Sequence, residues 1–327
     1  MKAVLLKQEG DAAQLYIGEY PTPVAGAGEV LVLVHATALN RADILQRQGH
    51  YPPPPGVSPV LGLEVAGVVE ALGPGVTRWK TGDKVMALLA GGAYAEYAVV
   101  HQDLAMPMPE GWTFEQAACI PEAFLTAWQA LQLLAQTQPG EKVLIHAGAS
   151  GVGVAAIQVA TRLLGASCMA TASAAKLPLC QKLGAERLVD YRSEDFATAV
   201  SEWTAQQGAN VIVDFIGAPY WRKNLDSLAM DGRMVILAMM GGAVPDYTTP
   251  LGAILRKRLH IMGSTLRNRS LEYKAELVRS FWQHAEAAFH AGHLEAVIDR
   301  VFDWTEVAQA HTLMESNANQ GKIVLMC

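Results

Sequence analysis

Four cysteines, Cys119, Cys168, Cys180 and Cys327, are all this 327-residue chain contains, and they show no paired spacing. That argues against a disulfide framework and a zinc-ribbon insert, and it fits a reducing compartment. No apolar run approaches the length of a membrane span. Charged residues make up only 17% and the formal net charge is -6, so neither disorder nor a dedicated nucleic-acid binder is expected. The stretch Met1–Lys7 is too short and too interrupted to read as a signal peptide, and the expected location is the cytoplasm. Internal repeats and low-complexity linkers are missing as well. What is present is apolar: 51% of the residues are hydrophobic, on a length that suggests about two domains.

One stretch organises the rest. Lys142-Val143-Leu144-Ile145 reads as a buried strand, His146 to Gly153 as a glycine-rich turn, and Val154 to Ala160 as a helix. Strand, turn and helix start form the phosphate-cradling element of a dinucleotide-binding fold, because small residues allow a close approach and helix N–H groups attract an anion. Gly148, Ser150 and Gly153 occupy the three fingerprint positions, with Gly151 and Val152 between them. Further apolar strands follow at Ser167–Ala172, Arg187–Asp190, Val211–Asp214 and Met234–Ala238, separated by helical segments. This alternation predicts a doubly wound α/β domain around a parallel sheet.

The position that selects the nucleotide lies about 20 residues past the last glycine, where NAD-binding versions place an acid. Here it reads Ser173, and no Asp or Glu occurs between Gly153 and Gly184. Lys176 and Tyr191-Arg192 lie nearby in sequence; a solvated lysine and a surface tyrosine are the plain alternatives. A serine, a lysine and a tyrosine can hold a 2′-phosphate, so the expected cofactor is NADPH. Gly217 and Met240-Gly241-Gly242 follow strands, at the sheet end where ligands bind in open α/β folds.

The flanking segments have another texture. Short strands at Val30–Leu39, Glu64–Gly73, Lys84–Leu88 and Ala95–Val100, broken by Gly and Pro turns, suggest a β-barrel-type domain. Pro121 interrupts a helical pattern over 113–134 and predicts two helices or a kink. Leu271–Ala291 and Thr305–Ser316 read as helices, and Ile323–Met326 as a last strand that rejoins the first domain. The expected domains are 1–121 with 267–327, and 122–266.

Several ordered motifs carry a family resemblance: Gly26-Ala27-Gly28-Glu29-Val30-Leu31-Val32, Asn40-Arg41-Ala42-Asp43, Leu61-Gly62-Leu63-Glu64-Val65-Ala66-Gly67, Gly82-Asp83-Lys84-Val85 and the glycine turn. The chain resembles the zinc-free quinone oxidoreductases of the medium-chain dehydrogenase/reductase family over nearly its whole length. Asn40 through Gly56 is similar to the tumour-suppressor-inducible quinone oxidoreductases of animals. The resemblance implies a GroES-like catalytic domain built from both termini and enclosing a Rossmann domain. It also implies a homodimer, NADPH use, and a quinone or other electron-poor carbonyl compound as the small-molecule substrate.

Against the zinc-using pattern, Asn40 stands where a cysteine would be and Leu63 where a histidine would be. Glu122 alone near the third position does not make a zinc site, so no metal is expected. A quinone or enone is already electrophilic, so hydride transfer needs a hydrogen-bond donor and a proton rather than a metal. By resemblance, Asn40 faces the nicotinamide and substrate, Asp43 orients the polar network, and Ser264–Arg269, including Leu266 and Arg267, lines the nicotinamide. Asn40 and Asp43 are spaced to share a helix face; an N-cap role for Asn40 is the alternative.

Tyr51 is a candidate donor to the acceptor oxygen, or else a ring packed on the proline loop. Thr126 is a candidate contact for the nicotinamide ribose or amide, and Asn317 for the adenosine phosphates. Arg267 and Arg269 could equally be ordinary exposed charges. His146 reads as a satisfied structural residue. An enone or alkenal reductase is the close rival. A nucleotide-binding structural or RNA-binding protein is the distant one.

Overall fold

Side-chain alternation, and its loss, separates the two textures of the chain. The computed structural model describes residues 1–244 and 251–327. It begins with β1 (Lys2–Leu6) and β2 (Leu15–Glu19), an antiparallel pair. In β3 (Glu29–Ala38), Val30, Val32, Val34 and Ala36 are buried while the residues between them are only half-buried. One face on the core and one nearer solvent is the signature of an antiparallel strand. β4 (Glu64–Leu72), β5 (Lys84–Leu88), β6 (Tyr97–His101) and β7 (Ala105–Pro107) complete the first run.

The middle of the chain carries β8 (Lys142–Ile145), β9 (Ser167–Ala172), β10 (Arg187–Asp190), β11 (Ala209–Asp214), β12 (Leu228–Ile236) and β13 (His260–Gly263). They form one parallel sheet in the order β10-β9-β8-β11-β12-β13. Val143, Leu144 and Ile145 are all fully buried, as a central strand covered on both faces requires. The order reverses between β8 and β11, the switch point at which such sheets bind ligands.

β14 (Ile298–Asp303) and β15 (Lys322–Met326) close the chain. They join β3, β4, β5 and β7 in a seven-stranded sheet of order β14-β15-β3-β4-β5-β7, with β6 also on β3. β15 runs antiparallel to β3, with Val324 opposite Ala38, which sets Lys322 beyond the end of β3. The contacts divide the chain into Met1–Leu125 with Leu266–Cys327, and Thr126–Thr265.

Pro121 opens the helix Pro121–Trp128 and separates it from the short helix Phe114–Ala117, because proline is tolerated at a helix start but not inside one. Leu271–His290 and Val307–Glu315 are the two helices of the last segment. Five strands lie outside the sequence reading: β1, β2, β7, β13 and β14. β7 is three residues long, and β14 is largely solvent-facing, so neither shows a run of apolar residues. β12 begins at Leu228 rather than Met234, and Leu237 and Ala238 lie beyond its end.

Candidate functional site

In the Thr126–Thr265 unit, the turn after β8 is tight. Ala147 takes a left-handed φ of 47°, and its carbonyl accepts from the Ser150 N–H. Ser150 is the N-cap of the helix Gly151–Gln158, its hydroxyl accepting from the Gly153 N–H at 3.1 Å. So the serine at the second fingerprint position is the helix cap. Gly153 cannot carry a side chain here: a Cβ would lie 2.3 Å from the Ala147 carbonyl oxygen and 2.7 Å from that of Gly148. The glycine lets the helix start sit directly on the turn, with Gly151 and Val152 in its first turn. That is the geometry a pyrophosphate needs.

The carboxyl ends of the neighbouring strands gather more predicted residues. Ser173 follows β9 and caps a short turn whose last residue is Lys176. Tyr191 follows β10 and its N–H donates to Ala172 of β9, so the two strand ends are held together. Arg192 lies over the Tyr191 ring, 5.7 Å from its centroid. Ser173 and Lys176 are half-buried and Tyr191 and Arg192 exposed. This set carries positive charge and hydroxyls without a carboxylate on β9, and it fits a phosphorylated ribose.

On the other side of β8, Asp214 at the end of β11 is buried and accepts from the N–H groups of Ile216 and Gly217. Burial pushes its carboxyl up to about 6, and those two N–H groups oppose the shift. Gly217 has φ of 83°, and a Cβ there would lie 2.7 Å from the Gly242 carbonyl oxygen. The Met240 and Gly241 N–H groups donate to Phe215 and Ile216, and Ala218 donates to Gly242. Two post-strand loops are thus zipped together. His146 is buried between Thr171 Oγ1 and Asn224 Oδ1, at 3.1 and 2.8 Å, and burial lowers its pKa to about 4.

The unit formed by both chain ends holds a different site. Asn40 caps the helix Arg41–Arg47 with an extended backbone, φ −129° and ψ 152°. It therefore shares no helix face with Asp43. Instead Asp43 Oδ2 accepts from the Asn40 backbone N–H at 2.8 Å, and Oδ1 accepts from Gly62 N–H at 3.0 Å. The Asn40 side chain points away from the helix. Its Nδ2 donates to Glu64 Oε1 at 2.8 Å and to the Ala38 carbonyl at 3.2 Å. Its Oδ1 accepts from Lys322 Nζ at 2.7 Å. Lys322, fully inside the fold, also donates to Glu64 Oε1 at 2.6 Å and to the Leu39 carbonyl at 2.8 Å. Glu64 Oε2 accepts the Glu122 N–H at 2.8 Å.

A second line of polar groups supports Asp43 from behind. Tyr94 donates its hydroxyl to Asp43 Oδ2 at 3.2 Å and lies 3.4 Å from His311 Nε2. His311 Nδ1 lies 3.4 Å from the Arg47 guanidinium, which pairs with Glu315. An arginine can only donate, so His311 accepts at Nδ1 and carries its proton on Nε2, pointing at Tyr94. Burial and then Arg47 lower the His311 pKa to about 3. Burial raises Asp43 to about 6 against its N–H donors, Lys322 and Tyr94. Burial and then Glu64 raise the half-buried Glu122 to about 8.

Arg267 is no exposed charge. It is buried, donating Nε to the Ala90 carbonyl at 2.6 Å, Nη1 to the Tyr51 carbonyl at 3.2 Å and Nη2 to Gln46 Oε1 at 2.7 Å. Its guanidinium lies 5.4 Å from the centroid of the half-buried Tyr51 ring. The side chain anchors the Tyr51 loop, and Leu266 beside it is buried as well. Asn317, with φ of 55°, accepts from Arg41 Nη2 at 2.6 Å. Thr126 is half-buried in the helix Pro121–Trp128. The structure thus brings Asn40 and Asp43 together, sets Tyr51 with Arg267, and leaves Asn317 on Arg41. Among the described residues, no group of three or more His, Cys, Asp or Glu side chains is gathered as metal ligands.

Sequence reasoning did not mark Lys322, Tyr94, His311, Arg47 or Glu315. The one available signal was a buried-strand position occupied by lysine at the head of β15.

Comparisons with known proteins agree with this architecture. Residues 26–110 match the alcohol dehydrogenase GroES-like domain, and residues 151–283 the zinc-binding dehydrogenase domain. The synaptic vesicle membrane protein VAT-1 homolog of Rattus norvegicus is 31% identical over 93% of this chain and 78% of its own length. Among solved structures, an NAD-dependent alcohol dehydrogenase is 32% identical with a TM-score of 0.87, covering 100% of both chains. The CurK enoyl reductase is 28% identical over 99% of this chain and 98% of its own, with a TM-score of 0.88. The Escherichia coli quinone oxidoreductase complexed with NADPH is 29% identical over 100% of both chains, with a TM-score of 0.87. The chain therefore belongs to the medium-chain dehydrogenase/reductase family of oxidoreductases with NAD(P)-type cofactors, in the branch that holds the quinone oxidoreductases.

Proposed function

We propose that this protein is an NADPH-dependent reductase that transfers hydride to quinones without a metal. One observation carries the cofactor choice: Ser173, Lys176, Tyr191 and Arg192 gather at the ends of β9 and β10, with no acid at the end of β9. A 2′-phosphate there meets cations and hydroxyls, whereas the carboxylate that selects NAD is missing. When bound, the dihydronicotinamide supplies the hydride. Gly151, Val152 and Gly153 receive the pyrophosphate at the helix start. Gly217 with Met240, Gly241 and Gly242 accommodates the cofactor beside β8. Thr126, Leu266 and Asn317 are additional cofactor contacts in this reading; Arg267 contributes by holding the Tyr51 loop.

Tyr51 is the side-chain donor assigned to the acceptor; Asn40, whose two amide N–H groups go to Glu64 and the Ala38 carbonyl, faces the reacting groups without donating to them, and Asp43 acts only through the Asn40 backbone. An electrophilic quinone needs a positioned donor and a proton, not a Lewis acid. The metal-free reading is supported by Lys322, whose ammonium engages the oxygens of Asn40 and Glu64. Zinc content of purified protein near zero, and activity unchanged by chelation, are expected.

The similarity to an enoyl reductase favours a second reading, reduction of enones or alkenals with the same hydride geometry. Initial rates with 1,2-naphthoquinone and with an alkenal, at matched NADPH, separate the two. Faster turnover of the quinone is expected, and turnover of the alkenal alone overturns the first reading.

We assign the protein to the cytoplasm as a homodimer. No helix among the described residues is long and apolar enough to cross a membrane. In the parallel sheet β12 lies between β11 and β13. One of the two end strands of that sheet is β13, whose only partner among the described strands is β12, and a second copy would add there. Light scattering on the purified chain tests this.

A further inference from the structure

Three oxygens converge on the Lys322 ammonium: the Leu39 carbonyl at 2.8 Å, Asn40 Oδ1 at 2.7 Å and Glu64 Oε1 at 2.6 Å. An ammonium has three N–H donors, and each has one acceptor here. Lys322 and Glu64 are 3% and 0% exposed, so water does not compete for these bonds. The consequence falls on Asn40. An asparagine amide can be turned end for end, and only its surroundings decide which way it points. Here the oxygen faces a group that can only donate, while the nitrogen faces a carboxylate and the Ala38 carbonyl. Both ends are therefore specified. The backbone of the same residue is held separately, by Asp43.

We propose that Lys322 is the positioning residue of the active site, a resident cation caged by Leu39, Asn40 and Glu64 that fixes the orientation of the Asn40 amide. The proposal rests on the reading of Asn40 as a residue that faces the reacting groups. It adds a residue from the last strand of the chain, and it explains why a lysine is buried at the head of β15. It also predicts a vacancy of defined chemistry. With the side chain removed, the cage is a pocket for a small cation that offers at least three N–H groups.

The test uses the full-length enzyme. Lys322→Met is expected to lower kcat about 10- to 100-fold, the cost of a misplaced group, with the NADPH Kd changed less than about twofold. Lys322→Met with Glu64→Gln removes the charge imbalance but keeps one accepting oxygen where Glu64 offered two, to Asn40 and to Glu122. It is expected to recover part of the lost melting temperature and not kcat. Lys322→Ala is expected to regain turnover with ammonium or methylammonium, and not with trimethylammonium, which has a single N–H. Recovery of kcat together with stability in the double variant, or equal response to all three amines, would overturn the proposal.

A readout independent of turnover is the pair of side-chain amide proton resonances of Asn40, identified by its substitution. They are expected to be slow to exchange in the wild type and fast in Lys322→Met. Unchanged protection overturns the positioning role. Absence of turnover in the wild type with every quinone and enone would instead remove the assigned reaction, leaving the amide measurement to decide the cage.

Discussion

Lys322 Nζ and Asn40 Oδ1 come from residues 282 positions apart and meet at 2.7 Å inside the unit formed by both chain ends. A buried ion pair that also orients an amide is costly to break on one side only. Lys322→Met leaves Glu64 buried without its cation, and a loss of roughly 3–5 kcal/mol in urea unfolding is expected. A loss below about 1 kcal/mol would mean that the cage is open to water.

Asp43 accepts from the Asn40 and Gly62 N–H groups and from the Tyr94 hydroxyl. Asp43→Ala leaves three buried donors without an acceptor. At about 1–3 kcal/mol for each buried donor left unsatisfied, the total should reach at least about 3 kcal/mol, measured by the denaturation midpoint. A small change would show that other groups or water take over the donors.

Lys176 sits on the turn after β9, beside Ser173. Lys176→Ala should weaken NADPH binding about tenfold, the worth of one charge-assisted contact, and leave NADH binding nearly unchanged. Titration of nicotinamide fluorescence with both cofactors decides it; equal losses for the two would remove Lys176 from 2′-phosphate recognition.

A methyl group on residue 153 has no room beside the Ala147 and Gly148 carbonyls. Gly153→Ala should cost about 1–3 kcal/mol through backbone displacement and reduce cofactor affinity strongly, because the same displacement moves the helix start. Calorimetry with and without NADPH separates the two effects. Full retention of affinity would show that the turn plays no part in cofactor binding.

Acidity acts on His146 and His311, whose folded-state pKa values of about 4 and 3 lie below the unfolded value of about 6.5. Their neutral forms are favoured by folding, so the stability they contribute is complete above pH 6.5. It is lost as pH falls from there toward 4 and 3, on the order of 3 kcal/mol for His146 at pH 4. Glu122 has the opposite sign. Its folded value of about 8 is raised, so its contribution is present below its ordinary pKa of about 4.5 and fades as pH rises through 8. Glu122→Gln, neutral at every pH, should match the wild type in stability at pH 5 and exceed it at pH 9. Parallel stability curves for the two proteins across that range would contradict the assignment.

Much of the fold was legible because its causes are local. An apolar run, small turn residues and a serine before a helix make β8, the turn and the helix Gly151–Gln158, whatever surrounds them. Continuous apolar strands between helices require a sheet covered on both faces, and alternation in β3 requires one solvent-facing side. Ser173 and the missing acid after β9 are likewise local facts.

Position in the sheet and the partners of lone polar residues are not local. β13 is four residues long and takes its meaning only from being last in the sheet. Arg267 reads as an ordinary charge until Ala90, Tyr51 and Gln46 surround it. Asn40 and Asp43 stood out by motif, but Glu64, Tyr94, His311 and Lys322 come from four separate strands, loops and helices. Sequence determined the strands and helices that carry a clear apolar period, such as β3, β8 and the helix Gly151–Gln158, since that depends on neighbours within a turn or a pleat. Tertiary structure alone decided which buried charges meet, because burying one is affordable only where distant segments supply its partner.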